Sequence, residues 1–154
     1  MTKLNREKQG DNVIVFGASG HAKVVIDIIE KQGIYKIEAL VDDNLDLKGM
    51  EVYGYTIIGG KQDIDSHNDK RVLVAIGDNK ARLKVTRYLE INNCNLAEAA
   101  VHPSAQVARG VTIDAGSTIM AGSVINPDTI IGQNTIVNTG ANIDHDCVIG
   151  EAVH

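Results

Sequence analysis

Residues 119–149 read IMAGSVINPDTIIGQNTIVNTGANIDHDCVI, and their spacing decides the fold. An aliphatic residue returns every six positions: Ile119, Ile125, Ile131, Val137, Ile143 and Ile149. Outward from this stretch the series begins with Val101, Val107 and Ile113, so nine hexads run without a miss. Four residues after each aliphatic stands a small or β-branched residue: Ala105, Val111, Ser117, Ser123, Thr129, Thr135, Ala141, Cys147 and Val153. An amphipathic helix would need apolar spacings of three and four, and a simple strand a spacing of two. Period six, with Gly, Asn and Asp between the aliphatics, predicts a parallel β-helix in which each hexad supplies a short strand and a corner. Three hexads close one triangular coil, so nine give three coils with the aliphatics stacked inside. At an inter-strand spacing of ~4.8 Å, the first and last layers lie only about 10 Å apart. No cap follows the ninth hexad, and an uncapped solenoid exposes apolar layers and strand edges. The expectation is a chain shortened from a longer, capped one.

Upstream the pattern changes. NVIVFGASGHAKVVIDIIEKQG (residues 12–33) reads as a buried strand over 13–16, a glycine turn and an amphipathic helix. Val24, Val25, Ile28 and Ile29 are its expected apolar stripe, with Gly33 in the place of a C-terminal stop. KIEALVDD (36–43) is a second strand ending in Asp42 and Asp43, and GMEVYGYTIIGG (49–60) reads as extended or hairpin structure. RVLVAIGDN (71–79) is a further buried strand ending in Gly77, and KARLKVTRYLEINN (80–93) a helix. The charges Lys80, Arg82, Lys84 and Arg87 of that helix read as a solvated face. Strands alternating with helices predict a parallel α/β sheet of Rossmann-like type. Such sheets bind ligands at the carboxyl ends of their strands. The candidate substrate-binding residues are therefore Gly17, Ser19, Gly20, His21, Asp42, Asp43, Gly77 and Asn79. The turn departs from G-x-G-x-x-G, but it leaves backbone N–H groups at a helix N-terminus, where a diphosphate is favoured. The paired acids stand where a ribose or base would be met.

Composition sets bounds. A net charge of −5 and a pI near 5.4 argue against nucleic-acid or anionic-membrane binding. The two cysteines make neither a disulfide framework nor a metal spacing, which predicts a reduced, cytoplasmic chain without a metal. No stretch approaches the roughly 18–20 apolar residues of a membrane helix. Aromatics at 3%, no Trp and 15 glycines suit a thin-cored, regular β architecture.

Within the hexads, His145 stands between Asp144 and Asp146 and two residues after the inward Ile143, at a corner rather than in the core. A histidine with an ordinary pKa of about 6.5 suits a general base at neutral pH. A neighbouring carboxylate would fix its tautomer and stabilise its protonated form. Cys147 occupies a small inward position and is read as packing.

The segments VFGASGHAKVV, LVDD, AIGDN, VHPSA and NIDHDCVIGEAVH, in that order, resemble the sialic acid O-acetyltransferase and nucleotide-sugar N-acetyltransferase family. This is the group that contains the bacillosamine-pathway acetyltransferase. The resemblance spans nearly the whole chain after Gly10, and its most specific part is Asp144-His145-Asp146-Cys147. It implies an α/β Rossmann-like N-terminal domain followed by a left-handed parallel β-helix of hexapeptide repeats. The expected divisions are a polar tail at 1–11, a nucleotide-sugar-binding domain at 12–96 and an incomplete β-helix acyltransferase domain at 97–154. The resemblance further implies a homotrimer with acetyl-CoA as co-substrate in the cleft between neighbouring β-helices. His145 is then the general base and Asp146 the acid that polarises it, with Asn138 and His154 near the acetyl group. This sequence carries Asp where the family often has Glu, an arm one methylene shorter.

The activity so implied is acetyl-CoA-dependent N-acetylation of a UDP-linked 4-amino-4,6-dideoxy sugar by direct transfer. Two competing readings are O-acetylation of a sialic-acid-like sugar or other small hydroxyl acceptor, and a non-catalytic trimeric assembly or binding module.

Overall fold

The computed structural model describes residues 11–67 and 70–154. The expected polar tail thus lies, but for Asp11, outside the described residues. The first unit contains β1 (Asp11–Phe16), α1 (Gly20–Gln32), β2 (Tyr35–Val41), β3 (Glu51–Val52), β4 (Tyr55–Thr56), β5 (Arg71–Val74), α2 (Asn79–Ile91) and β6 (Asn95–Leu96). Four of its strands form a parallel sheet in the order β2-β1-β5-β6. Val13, Ile14, Val15, Val72, Leu73 and Val74 are all buried. Strands covered on both faces read as continuous apolar runs, as these do. The hairpin β3–β4 turns on Tyr53 and Gly54, both at positive φ, the geometry of a type I′ turn.

Helix α1 ends as its sequence predicts: Gly33 adopts φ 68° and its N–H bonds the carbonyl of Ile29. Its stripe differs from expectation. The buried residues are Ala22, Val25, Ile26, Ile28 and Ile29, whereas Val24 is 38% exposed. The reason is that α1 is covered twice, by the sheet and by the first wall of the β-helix. One core contains Val25, Ile26 and Ile29 together with Ala97, Ala100, Met120 and Ile136.

The β-helix follows as nine two-residue strands: β7 (Ala100–Val101), β8 (Gln106–Val107), β9 (Thr112–Ile113), β10 (Thr118–Ile119), β11 (Val124–Ile125), β12 (Ile130–Ile131), β13 (Ile136–Val137), β14 (Asn142–Ile143) and β15 (Val148–Ile149). They stack into three parallel walls, β7-β10-β13, β8-β11-β14 and β9-β12-β15. In-register partners lie 18 residues apart, as in Ile119 with Val101 and Val137. This is the three-coil prism predicted from period six, wound with the left hand that the family resemblance implies. The middle layer, Ile119, Ile125 and Ile131, is fully buried, while the end-layer residues Val101, Ile113, Ile143 and Ile149 are only partly covered.

The second periodic position does more than stay small. Hydroxyls of Ser117, Thr129 and Thr135 donate to the carbonyls of Gly132, Asp144 and Gly150 at 2.7–2.9 Å. They also accept N–H groups of Thr135, Cys147 and Val153 from the next coil. Buried polar groups are thereby satisfied between layers. A third constraint occupies the residue three after each aliphatic from Val107 onward. Gly110, Gly116, Gly122, Asp128, Asn134, Gly140, Asp146 and Ala152 all take positive φ. Glycine, Asn and Asp tolerate this left-handed conformation best, which explains all of these but Ala152.

The α/β unit covers the wall β7-β10-β13 through α1 and clamps the adjoining corner through α2. Arg82, expected on a solvated face, is instead fully buried at that corner. Its Nε donates to Asn134 O, Nη1 to Ile76 O and Gly77 O, and Nη2 to Asn79 Oδ1, Ala152 O and Val153 O. A guanidinium is buried here because five backbone carbonyls and one amide oxygen replace its water. Arg87 also reaches across, to Glu151 at 2.7 Å, but stays exposed.

Candidate active site

At the carboxyl end of the sheet, Gly17 closes β1 with φ 119° and donates to Val41 O. A Cβ at Gly17 would sit 2.6 Å from the carbonyl oxygen of Ala75, so only glycine fits between β1 and β5 here. Asp42 takes the Ala18 N–H on one carboxylate oxygen and the Asn44 N–H on the other, both at 2.9 Å. Its negative charge thereby fixes the glycine turn. Ser19 is the N-cap of α1 but makes no side-chain capping bond, and Gly20 has open space around it. The first-turn N–H groups of α1 are thus not capped by the side chain that precedes them.

Asp42 and Asp43 face a cavity of about 340 Å³ shared with Phe16, Lys61, Ile76, Lys84 and Tyr88. That is within the usual range for a small-ligand pocket. Lys61 holds Asp43 through both its N–H and its ammonium, and the ammonium lies 5.4 Å from the centre of the Tyr88 ring. The pocket thus presents aromatic and aliphatic walls, two carboxylates and two ammonium groups, a set suited to a base, a ribose and a phosphate. The sequence marks its acids but not Lys61, Lys84 or Tyr88, and Lys84, expected on a solvated face, lines this cavity. Tyr88 stands one helical turn after Lys84 in α2 and could have been found from that spacing. Lys61 lies on a short 3-10 helix (Lys61–His67) and carries no periodic signal.

His21 and His154 meet beside this end of the sheet, their ring centroids 6.4 Å apart. His154 Nδ1 lies 3.3 Å from the Gly77 carbonyl. Nε2 of His21 is buried with no hydrogen-bond partner among the described residues. Burial, then His154 and then Arg82, lower its pKa to about 4, so the ring is neutral at physiological pH. Arg82 adds Asn79 to this group through its side-chain oxygen.

His145 and Asp146 form a turn between β14 and β15, on an exposed corner. Nδ1 of His145 lies 2.6 Å from Asp146 Oδ2, so the shorter Asp arm does reach the imidazole. It reaches because Asp146 is the positive-φ residue of its hexad, at φ 56°. The hydrogen bond to Asp146, followed by the charges of Asp144 and Asp146, raises the pKa of His145. Asn138 occupies the preceding corner, where its Oδ1 accepts the Thr139 N–H. The structure therefore joins His21, Gly77, Asn79 and His154, and joins His145 to Asp146. It does not bring His145 to His154: they occupy successive corners, and the His145 corner stands opposite the wall that carries the α/β unit. Among the described residues, no group of His, Cys, Asp and Glu could hold a metal, and no helix is long and apolar enough to cross a membrane.

Comparison with known proteins adds three kinds of likeness. The family model described as the PglD N-terminal domain matches residues 12–89. The chain is similar to the structure of a GDP-perosamine N-acetyl transferase mutant from Caulobacter crescentus in complex with CoA and GDP-perosamine. Identity is 37% and the TM-score 0.85, over 93% of this chain and 67% of that one. The acetyltransferase domain of PglB from Neisseria gonorrhoeae, in complex with acetyl coenzyme A, is 30% identical with a TM-score of 0.83, over 94% of this chain and 70% of that one. An uncharacterised protein of Acanthamoeba polyphaga mimivirus is 35% identical over 101 residues; this chain spans one fifth of its length (20%) and 64% of its own.

Proposed function

Because the chain belongs to the PglD N-terminal domain family, we propose that it acts as an acetyl-CoA-dependent N-acetyltransferase on a nucleotide-linked amino sugar. The observation that carries the reading is the 2.6 Å contact between His145 Nδ1 and Asp146, displayed on an open corner. Asp146 accepts the Nδ1 proton, which leaves Nε2 free as a base. The sugar amine attacks the thioester carbonyl, a C–N bond forms, the amine proton passes to Nε2 and the C–S bond breaks to release CoA. Cys94 is buried and Cys147 takes a small, partly covered position of the coil, which favours direct transfer over an acyl-enzyme.

The nucleotide occupies the pocket of Asp42, Asp43, Lys61 and Tyr88, with its diphosphate towards Ser19 and Gly20 at the N-terminus of α1. His21, Gly77 and Asn79 line the path of the sugar, and Asn138 and His154 flank the acetyl group. His145 lies on the corner opposite its own α/β unit, so it serves the nucleotide held by another copy. A homotrimer with three sites between copies meets that requirement. The sequence expectation is a uridine nucleotide; the perosamine transferase to which the chain is similar has guanosine.

The test is a transfer assay with acetyl-CoA and UDP- and GDP-linked amino sugars, with calorimetric titration of both nucleotides. The reading requires selective binding of one nucleotide and loss of transfer in His145→Ala with that binding intact. Unchanged turnover in His145→Ala would sink it.

A further inference from the structure

We infer that Arg82 is a positioning residue that couples the sheet-end loop Ile76–Asn79 to the β-helix corner carrying His154, so that the two move as one body. The inference goes beyond the proposed activity, since it concerns how the two halves of this chain are held in register.

Three observations carry it. First, Arg82 is fully buried, yet among the described residues no carboxylate oxygen touches its guanidinium. A buried cation without an ion pair is costly unless every donor is met. Here all three nitrogens are bound, to six oxygens at 2.8–3.2 Å. An apolar side chain would fill the space at lower cost, so the cation's particular gain is geometric. Second, the six oxygens divide evenly between the two units. Ile76 O and Gly77 O belong to the loop after β5, and Asn79 Oδ1 to the first residue of α2. Asn134 O, Ala152 O and Val153 O belong to one corner of the β-helix. A planar fork of five N–H groups fixes both sets at once, which the single ammonium of lysine does not.

Third, the groups held are those that place the histidine pair. Gly77 O is both an acceptor of Arg82 Nη1 and the neighbour of His154 Nδ1. Ala152 and Val153 lead directly into His154. The corner is braced from behind, where Asn134 Nδ2 donates to Thr86 Oγ1 and Thr86 Oγ1 donates to Arg82 O. Displacing the loop therefore displaces His154 relative to His21, and displacing the corner does the same in reverse. Such coupling between two segments is reciprocal.

The experiment is amide hydrogen exchange with histidine NMR titration on the 154-residue chain, comparing wild type with Arg82→Lys and Asn79→Ala. Arg82→Lys retains the charge and loses the fork. Exchange is expected to rise at least tenfold at 76–79 and at 150–154 together, with circular dichroism unchanged. Asn79→Ala removes an oxygen from an exposed position, so folding survives it even if Arg82→Lys unfolds. It is expected to raise exchange in the distant corner, Ala152–His154, as well as locally, and to move the His21 titration midpoint upward. The Arg82 charge stays in Asn79→Ala, so that movement reports position. A rise confined to 76–80, with the corner and the His21 midpoint unmoved, would overturn the inference. None of these readouts requires catalysis, so loss of the proposed activity would leave the test intact.

Discussion

The rings of His21 and His154 face each other across 6.4 Å although 132 residues separate them in the chain. One stands in the first turn of α1 and the other after the last corner of the β-helix. This pairing makes stability sensitive to acid. The folded chain holds His21 near pKa 4, whereas an unfolded histidine titrates near 6.5. Between those values the unfolded state binds more protons, so stability falls as pH falls. The contribution is whole above about pH 6.5 and lost as pH drops through 4. Thermal unfolding should show the melting temperature of wild type falling from pH 7 to pH 4 by ~2–5 °C more than that of His21→Asn. Parallel curves for the two proteins would refute the assignment.

The sign is opposite at His145. Its hydrogen bond to Asp146 raises the pKa, so the protonated form persists to higher pH than in a free histidine. In Asp146→Asn the NMR titration midpoint should fall back towards about 6.5. The neutral base would then appear at lower pH, and the rising limb of the rate profile should shift in the acid direction. The plateau should drop by at least about tenfold, because Asn no longer fixes the tautomer. Both residues lie in solvent, so the melting temperature should hardly change.

How far these features could be read in advance depended on whether they were periodic. The aliphatic positions such as Ile125 and the small positions such as Thr129 recur in the sequence itself, and three stacked walls follow from them. The corner of His145 follows too, because its register is counted from Ile143. Contacts between the two units carry no period. Arg82 reads like any charge on a surface helix, and its burial depends on carbonyls of Ala152 and Val153, 70 and 71 residues away. Val24 was misplaced for a related reason: α1 is covered on two sides, and a single stripe describes only one. The acids Asp42 and Asp43 are visible in the sequence as a pair lining one cavity, but the further task of Asp42, fixing the turn, comes from the backbone N–H groups of residues 18 and 44.

The layered core predicts a gradient of sensitivity along the prism axis. Ile125 is fully buried in the middle coil, so Ile125→Ala should cost about 2–5 kcal/mol in denaturant unfolding, through lost transfer energy and an uncollapsed cavity. Val107 is the corresponding residue one coil earlier and is 41% exposed. Val107→Ala should cost less than about 1.5 kcal/mol, since the removed methyl groups already meet water. Equal costs would mean that a further layer covers Val107 in solution.

Two glycines with positive φ separate strain from collision. Gly33 caps α1 at φ 68° with nothing within 4 Å of the place a Cβ would occupy. Gly33→Ala meets only the left-handed conformational penalty, about 1–2 kcal/mol. Gly17 has φ 119° and would drive its Cβ to 2.6 Å from the Ala75 carbonyl oxygen. The obstructing atom is backbone in the loop after β5, so relief requires β1 and β5 to part where Phe16 O receives the Ala75 N–H. Gly17→Ala should therefore cost at least about 3 kcal/mol. Its effect should also reach the ligand pocket, because Phe16 and Asp42 line that cavity and the Ala18 N–H is fixed by Asp42. Denaturant titration measures the first effect and nucleotide calorimetry the second. Gly33→Ala should weaken stability while leaving nucleotide affinity alone; Gly17→Ala should weaken both. If Gly17→Ala binds nucleotide as wild type does, the turn is not part of the site.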